Sequence, residues 1–239
     1  MSKTLRLDRF LCQATGLSRA QAQLAIRRGQ VRLDQGPVVK NPAQHIDPSS
    51  GVYYHGEPVH IRGPRYFMLN KPAGVVCATS DTTYRTVIDL LCAERSTDLH
   101  PAGRLDRDTT GLVLISDDGE WTHRVTSPRR KCPKTYRVNL AEVLDEAMAR
   151  QLREGVMLKG EDKPTQPAGV EMVAPSEILL TLHEGRYHQV KRMLAAVGNH
   201  VVGLHRERIG EVALDPSLKP GEYRALTPEE CAQLARCGA

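Results

Sequence analysis

The 239-residue chain is 40% apolar and 26% charged, the balance of a globular protein with material for one large or two modest cores, and only 4% of it is aromatic. It holds no run of about 18 apolar residues, and the start MSKTLRLDRF lacks an apolar stretch, so neither a membrane span nor a secretory signal is expected and a cytoplasmic location is predicted. The cysteines (Cys12, Cys77, Cys92, Cys132, Cys231, Cys237) are scattered, without C-x-x-C or a His pair at ligand spacing. That pattern predicts reduced, mostly buried thiols, with no metal site and no disulfide framework.

The net charge of +5 is unevenly placed. Residues 1–63 hold nine Lys and Arg, Lys3 and Arg62 among them, against four acids, while the remaining 176 residues are balanced. An excess confined to one small unit suits a module that neutralises phosphates. Within it, Leu7, Phe10, Leu11 and Ala14 recur at helical spacing and Gly16 ends the helix. Ser18 with Gln21 reads as a capping box opening a second helix, 19–28, closed by Gly29. Residues 30–33, a turn at 34–36 (Asp34, Gln35, Gly36) and 37–40 read as a hairpin. Arg19, Arg27, Arg28 and Arg32 cluster here, as RNA contacts or as a solvated basic face. The order LDRFL, GLSRAQAQ, IRRGQV, VVKNP resembles a small helix-rich RNA-binding module, found in a small-subunit ribosomal protein and several RNA-modifying enzymes, over roughly residues 5 to 60.

Residues 41–65 are rich in Pro and Gly, with short strands expected at 52–54 and 59–61, and Gly63-Pro64 marks a boundary between a basic module at 1–62 and a second domain at 63–239. Strands are predicted at 66–69 and 75–78 around a turn at 71–74, then a helix at 86–92. A short helix at 121–125, a basic loop at 127–131 and a strand at 134–140 follow. Leu144, Met148 and Leu152 mark a helix from near Asp145 to Gly155. Strands and helices interleave at hairpin-like spacing, which predicts an α+β domain with a mostly antiparallel mixed sheet.

Two stretches carry chemistry. In HPAGRLDRDTTGLVLISDDG, 100–119, an apolar strand at 112–115 supports a polar loop that presents Asp106, either as a local turn former or as a reactive carboxylate. Asp117 and Asp118 beside Gly119 read as turn and helix-cap residues rather than a metal pair. In ILLTLHEGRYHQVKRMLAAV, 178–197, a strand turns into a helix whose apolar stripe is Tyr187, Val190, Met193, Leu194 and Val197. Lys191 falls about 40° from Tyr187 at the stripe's edge, either snorkelling or half-buried and seeking a carboxylate. Arg186, His188 and Arg192 are candidate RNA contacts, His188 with a general-base alternative. Arg104 reads as a phosphate contact or an ion pair with Asp108, and Lys71 as a backbone contact to RNA.

YFMLNKPAGVV, GRLDRDTTGLVLISDDG, KTYRV and EGRYHQVKRML, with the tail GNHVVGLHRERIG, resemble in order and spacing the RsuA-type pseudouridine synthases of small-subunit ribosomal RNA over nearly the whole chain. The resemblance implies that Asp106 is the catalytic aspartate, Tyr136 the residue stacking on the target base and Lys191 the cation paired with the aspartate, where many relatives carry Arg. It implies uridine 516 as the target, small-subunit RNA or its assembly intermediate as the partner, and a monomer without cofactor, since the isomerisation needs no redox step or energy input. A synthase acting on large-subunit RNA, and a non-catalytic RNA-binding assembly factor, are the competing readings.

Overall fold

The computed structural model describes residues 4–34, 36–61, 63–91, 94 and 98–237. Lys3, Gln35, Arg62 and Cys92, used above, lie outside the described residues. The chain separates into two compact units, Met1–Gly63 and Pro64–Ala239.

The first unit runs β1 (Leu5–Arg6), α1 (Leu7–Thr15), α2 (Arg19–Arg27), β2 (Val31–Leu33), β3 (His45–Ile46), β4 (Val52–Tyr54) and β5 (Glu57–Val59). Leu7, Phe10 and Leu11 of α1 pack with Ala22, Ala25 and Ile26 of α2 in one apolar cluster. Gly16 ends α1 in the left-handed region at φ 77°, where only Gly carries no steric penalty. The Ser18–Gln21 capping box opens α2. The expected 30–40 hairpin is reduced to a single Arg32–Val38 bridge; β2 pairs instead with β4, and β4 with β5. The reason is local: Gly51 donates its N–H to the Asp34 carboxylate at 2.9 Å, drawing β4 alongside, while Pro37 has no N–H for a ladder.

Asp8, fully buried in the first turn of α1, joins the two helices. Its carboxylate accepts from Arg6 Nη2 at 2.8 Å, Arg6 Nε at 3.1 Å, Gln23 Nε2 at 3.0 Å and the Arg9 N–H at 2.9 Å. The Arg6 bonds hold it well below the usual carboxylate range, against the opposing effect of burial.

The second unit contains β6 (Tyr66–Lys71), β7 (His100–Ala102), β8 (Thr110–Ser116), α3 (Gly119–Thr126), β9 (Lys134–Leu140), α4 (Glu146–Glu154), β10 (Gly169–Ala174), β11 (Glu177–Leu182), α5 (Gln189–Ala196), β12 (Val201–Ile209), β13 (Val212–Ala213), β14 (Tyr223–Ala225) and α6 (Pro228–Arg236). The sheet order is β10-β11-β9-β12-β8-β6-β14, with β13 on β12 and β7 on β8. All of its pairings are antiparallel except β12 with β8, so the mixed, mostly antiparallel α+β domain expected from the sequence is present. Alternation along β8 sorts its side chains: Val113 and Ile115 join the core beneath α4 and α5, Leu112 and Leu114 the one beneath α3 and α6. Asp118 caps α3 through the Trp121 N–H at 2.9 Å and Asp117 accepts from Arg65, as turn and cap residues should.

Three expectations change. Residues 86–91 form turns, not a helix, because Thr86 and Asp89 bond each other's backbone N–H groups and compete with helical bonding. The strand at 75–78 is a single Val76–Thr86 bridge. Cys132 and Cys237, 105 residues apart, are joined as a disulfide with Cα atoms 5.3 Å apart, against the expectation of reduced thiols; long-range pairing of this kind leaves no trace in spacing. Cys12, Cys77 and Cys231 are free thiols.

Because the Asp8 pKa is depressed in the folded state, its stabilisation is present above about pH 4 and is lost as pH falls below it. Asp8→Asn is expected to cost about 1.5–3 kcal/mol at neutral pH and to flatten this acid dependence. Calorimetric unfolding of both proteins between neutrality and acid checks it; parallel acid profiles would count against the assignment.

Candidate functional site

Residues 103–109 leave β7 and enter β8 as a loop whose shape is set from below. Lys71, the last residue of β6, is fully buried and donates its ammonium to the carbonyls of Thr109 at 2.7 Å, Pro72 at 3.0 Å and Arg107 at 3.2 Å. The Arg107 carbonyl also receives the Gly74 N–H at 2.8 Å, and the Thr109 N–H closes a turn onto the Asp106 carbonyl at 3.1 Å. Burial pushes the Lys71 pKa down, with Asp106 and Asp108 among the charges that oppose it. Lys71 was expected to touch RNA; a side chain with no exposure and three protein acceptors holds the loop instead. Gly111, at φ 102°, lets β8 run against β12, where a Cβ would stand 2.4 Å from the Arg206 carbonyl oxygen.

The loop carries Asp106 to the wall of a pocket of about 530 Å³. Its side chain is 26% exposed, with Oδ2 3.2 Å from Lys191 Nζ and Oδ1 3.4 Å from His188 Nε2. Lys191 is closer still to Asp108, at 2.6 and 2.9 Å, so one ammonium bridges two carboxylates. Burial works against the Lys191 charge, but the bonds to Asp108 and Asp106 prevail and its pKa is raised. The Lys191 bond is the main cause holding Asp108 below its ordinary value. Tyr136, on β9 and nearly buried, lines the same pocket. The structure therefore brings Asp106, Tyr136, Lys191 and His188 together.

Other candidates divide. Arg104 is exposed on the pocket rim and, among the described residues, makes no ion pair, since Asp108 is engaged by Lys191. Arg186 and Arg192 are taken by protein acceptors: Arg186 by Glu161, Glu184 and the carbonyls of Lys163 and Pro164, Arg192 by Glu161 and the carbonyls of Lys159 and Tyr187. They fasten the segment after α4 to the start of α5. Tyr187 also departs from expectation. It precedes α5 instead of joining its apolar stripe, because His188 adopts the left-handed region at φ 46°. The Tyr187 ring is 74% exposed and stacks on His188 at 3.8 Å. In the first unit, Arg19, Arg27, Arg28 and Arg32 are exposed, and Arg19 alone of these ion-pairs among the described residues, with Asp8 at 3.7 Å. Sequence reasoning missed three pocket-side features: the Lys71 clamp, Arg206 and Lys134. The one signal available was alternation, which places Lys134 and Tyr136 on a common face of β9.

The site is a loop-borne carboxylate bridged to a lysine, beside a nearly buried tyrosine in one pocket. The RNA pseudouridylate synthase family matches residues 65–196, and the chain belongs to that family, in its RsuA-type branch. Ribosomal small subunit pseudouridine synthase A of Vibrio cholerae serotype O1 is 51% identical over 230 residues, 96% of this chain and 99% of the relative. The protein of that description from Escherichia coli K12 is 53% identical over 231 residues, 96% and 100% of the two chains. A crystal structure of a pseudouridylate synthase superposes with a TM-score of 0.70 at 48% identity, covering 96% of this chain and 99% of that one.

Replacing Lys71 by Met leaves three carbonyls short of a donor. The expected outcome is a stability loss of about 1–3 kcal/mol, with faster exchange of the Gly74 and Thr109 amide hydrogens than of amides in α4. Unchanged exchange at those two amides would show that the clamp does not hold the loop.

Proposed function

We propose that this protein isomerises uridine to pseudouridine in small-subunit ribosomal RNA, at uridine 516, with residues 63–239 as the catalytic domain and residues 1–62 as an RNA-binding module. The observation that carries the reading is the Asp106–Lys191 pair at 3.2 Å in one pocket with Tyr136, in a chain that matches small-subunit synthases end to end. A cytoplasmic monomer suits a substrate made and assembled there. The Cys132–Cys237 bridge packs in the cluster beneath α3 and α6, and neither cysteine lines the pocket.

The chemistry asks for these groups. The target base leaves its stack, at a cost of a few kcal/mol. Stacking on Tyr136 offsets about 1–3 kcal/mol of it. Asp106 acts as the carboxylate, attacking the sugar or the base or stabilising a cationic sugar. In each case the carboxylate form does the work, and Lys191 faces it at 3.2 Å, fixing its position. Asp108 completes the arrangement by holding the far side of the Lys191 ammonium. Arg104 at the rim is the catalytic unit's contact to the flanking RNA backbone, and Arg27, Arg28 and Arg32 supply phosphate contacts in the module.

Pseudouridine mapping of both ribosomal RNAs after incubation with this protein is expected to reveal one new site in the small-subunit RNA, absent with Asp106→Asn. Lys191→Ala is expected to lower turnover at least about 100-fold, the scale of losing one preorganised electrostatic partner. Modification of large-subunit RNA alone would move the substrate, and salt-sensitive binding with no modification of either RNA would favour the assembly factor.

A further inference from the structure

The floor of the same pocket holds two cations to which the proposed function gives no task. Arg206 lies directly opposite Tyr136 in the β9–β12 ladder, so their side chains stand side by side on one face of the sheet. Lys134, two residues before Tyr136 on β9, occupies that face as well. Both line the pocket, with Leu182 and Leu204 as apolar floor between the strands.

Arg206 is 2% exposed. Its Nε is anchored on the Leu112 carbonyl at 2.8 Å, but its Nη2 is buried and has no hydrogen-bond partner, and Arg206 forms no salt bridge among the described residues. Thr109 Oγ1, buried in the same pocket wall, is also without a partner. Lys134 donates to the Cys132 carbonyl at 3.0 Å, and burial, reinforced by the Arg206 charge, pushes its pKa down to about 8. A buried guanidinium with an idle N–H is an expensive arrangement, retained where a ligand completes it.

We propose that Arg206, with Lys134 beside it, binds the uracil ring as the anion that exists only while the base is detached. This rests on the isomerase reading. The bond between N1 and the sugar carbon C1′ breaks with its electron pair on the base, whose negative charge spreads over O2, O4 and the ring. C1′ is left cationic or is captured by the Asp106 carboxylate. After the ring turns, C5 uses a ring electron pair to bond C1′, freeing Asp106; the C5 proton leaves, N1 takes up a proton, and the composition is unchanged. The negative base lies between the two bonding events, so a fixed cation there stabilises the detached state more than the neutral substrate. The position favours the base over a phosphate, since Arg206 is at the buried floor beside Tyr136 whereas Arg104 is at the exposed rim.

Fluorine at C5 makes uracil the stronger acid and its anion the better leaving group, so a 5-fluorouridine substrate needs less help from the cation. Single-turnover consumption of uridine and of 5-fluorouridine at the target position is measured for the wild type, Arg206→Gln and Arg206→Lys. Arg206→Gln is expected to slow the uridine reaction about 100-fold or more and the 5-fluorouridine reaction about tenfold or less, with RNA affinity unchanged and Arg206→Lys in between. Because Arg206 also anchors Leu112, Lys134→Gln is run in parallel and is expected to change the rate ratio in the same direction; a ratio taken within one sample is independent of the folded fraction. Equal slowing on both substrates in both variants overturns the proposal. So does a loss confined to salt-sensitive RNA affinity, which would assign Arg206 to a phosphate. A wild type that leaves uridine unconverted defeats the isomerase reading itself, whereas wild-type turnover with unchanged ratios defeats only the role of Arg206 and Lys134.

Discussion

The site depends on a buried ammonium. A loop that crosses the edge of an apolar core has carbonyl groups facing inward with no water to satisfy them, and here one lysine at the end of β6 answers two of them, together with the carbonyl of its neighbour Pro72. With the carbonyls of Arg107 and Thr109 turned down onto Lys71, the Asp106 and Asp108 side chains reach the Lys191 ammonium. The same loop is closed on its other side by Gly111, whose missing Cβ lets β8 pass the Arg206 backbone. Lysine suits this place because three separate acceptors around one point match a compact ammonium better than a planar guanidinium. The clamp and the close approach thus fix one object from two directions.

The electrostatics follow from that placement. Lys191 is shared, and its shorter contacts go to Asp108, so the exposed carboxylate acts as a second holder of the cation that faces Asp106. A lysine alone lacks the two-pronged grip of arginine; a lysine pinned between two carboxylates recovers orientation by having two partners. Elsewhere around the pocket, cations are sorted by whether they are neutralised. Arg186 and Arg192 share Glu161, Arg186 also pairs with Glu184, and both contribute fastening rather than field. Lys134 and Arg206 lack carboxylate partners among the described residues.

Much of this was legible where periodicity was strong. The strand at Lys134–Leu140, the capped helices around Asp118 and Asp145, the capping box at Ser18 and the buried β8 all follow from side-chain patterns that local physics enforces. The Asp106 loop was legible because a polar loop joined to an apolar strand stands out, and the Asp106–Lys191 approach because four motifs resembled a family. What failed were judgments of partner and burial. Nothing in YFMLNKPAG says that Lys71 turns inward, since two of its three acceptors lie more than 30 residues away in sequence. Tyr187 looked like the start of an apolar stripe, but the left-handed His188 takes it off the helix, and non-Gly residues enter that region too rarely for spacing to reveal it. Arg186 reads as an RNA contact in the sequence, but it is held by Glu184 two residues before it and by Glu161, 25 residues distant. Residues 86–91 carried an apolar pattern that suits a helix, yet the Thr86–Asp89 exchange closes a turn first.

Under the proposed function, the charge distribution separates binding from chemistry. The whole net charge of +5 lies in residues 1–63, where Arg27, Arg28 and Arg32 are exposed and without carboxylate partners among the described residues. The remaining residues balance to zero, and two of their cations, Arg206 and Lys134, line the pocket without a carboxylate partner among the described residues. Exposed arginines exchange counterions for phosphates, so their contribution falls steeply with salt and is indifferent to what the base is doing. Buried cations in a low-dielectric pocket are screened far less, and their effect is felt only when negative charge appears beside them. Under the proposed function, salt then governs how long the RNA stays, while the rate once it is seated is governed by Asp106, Lys191 and the pocket floor. A synthase arranged in this way can loosen its hold on RNA without losing its chemistry, because the two kinds of charge share no residue.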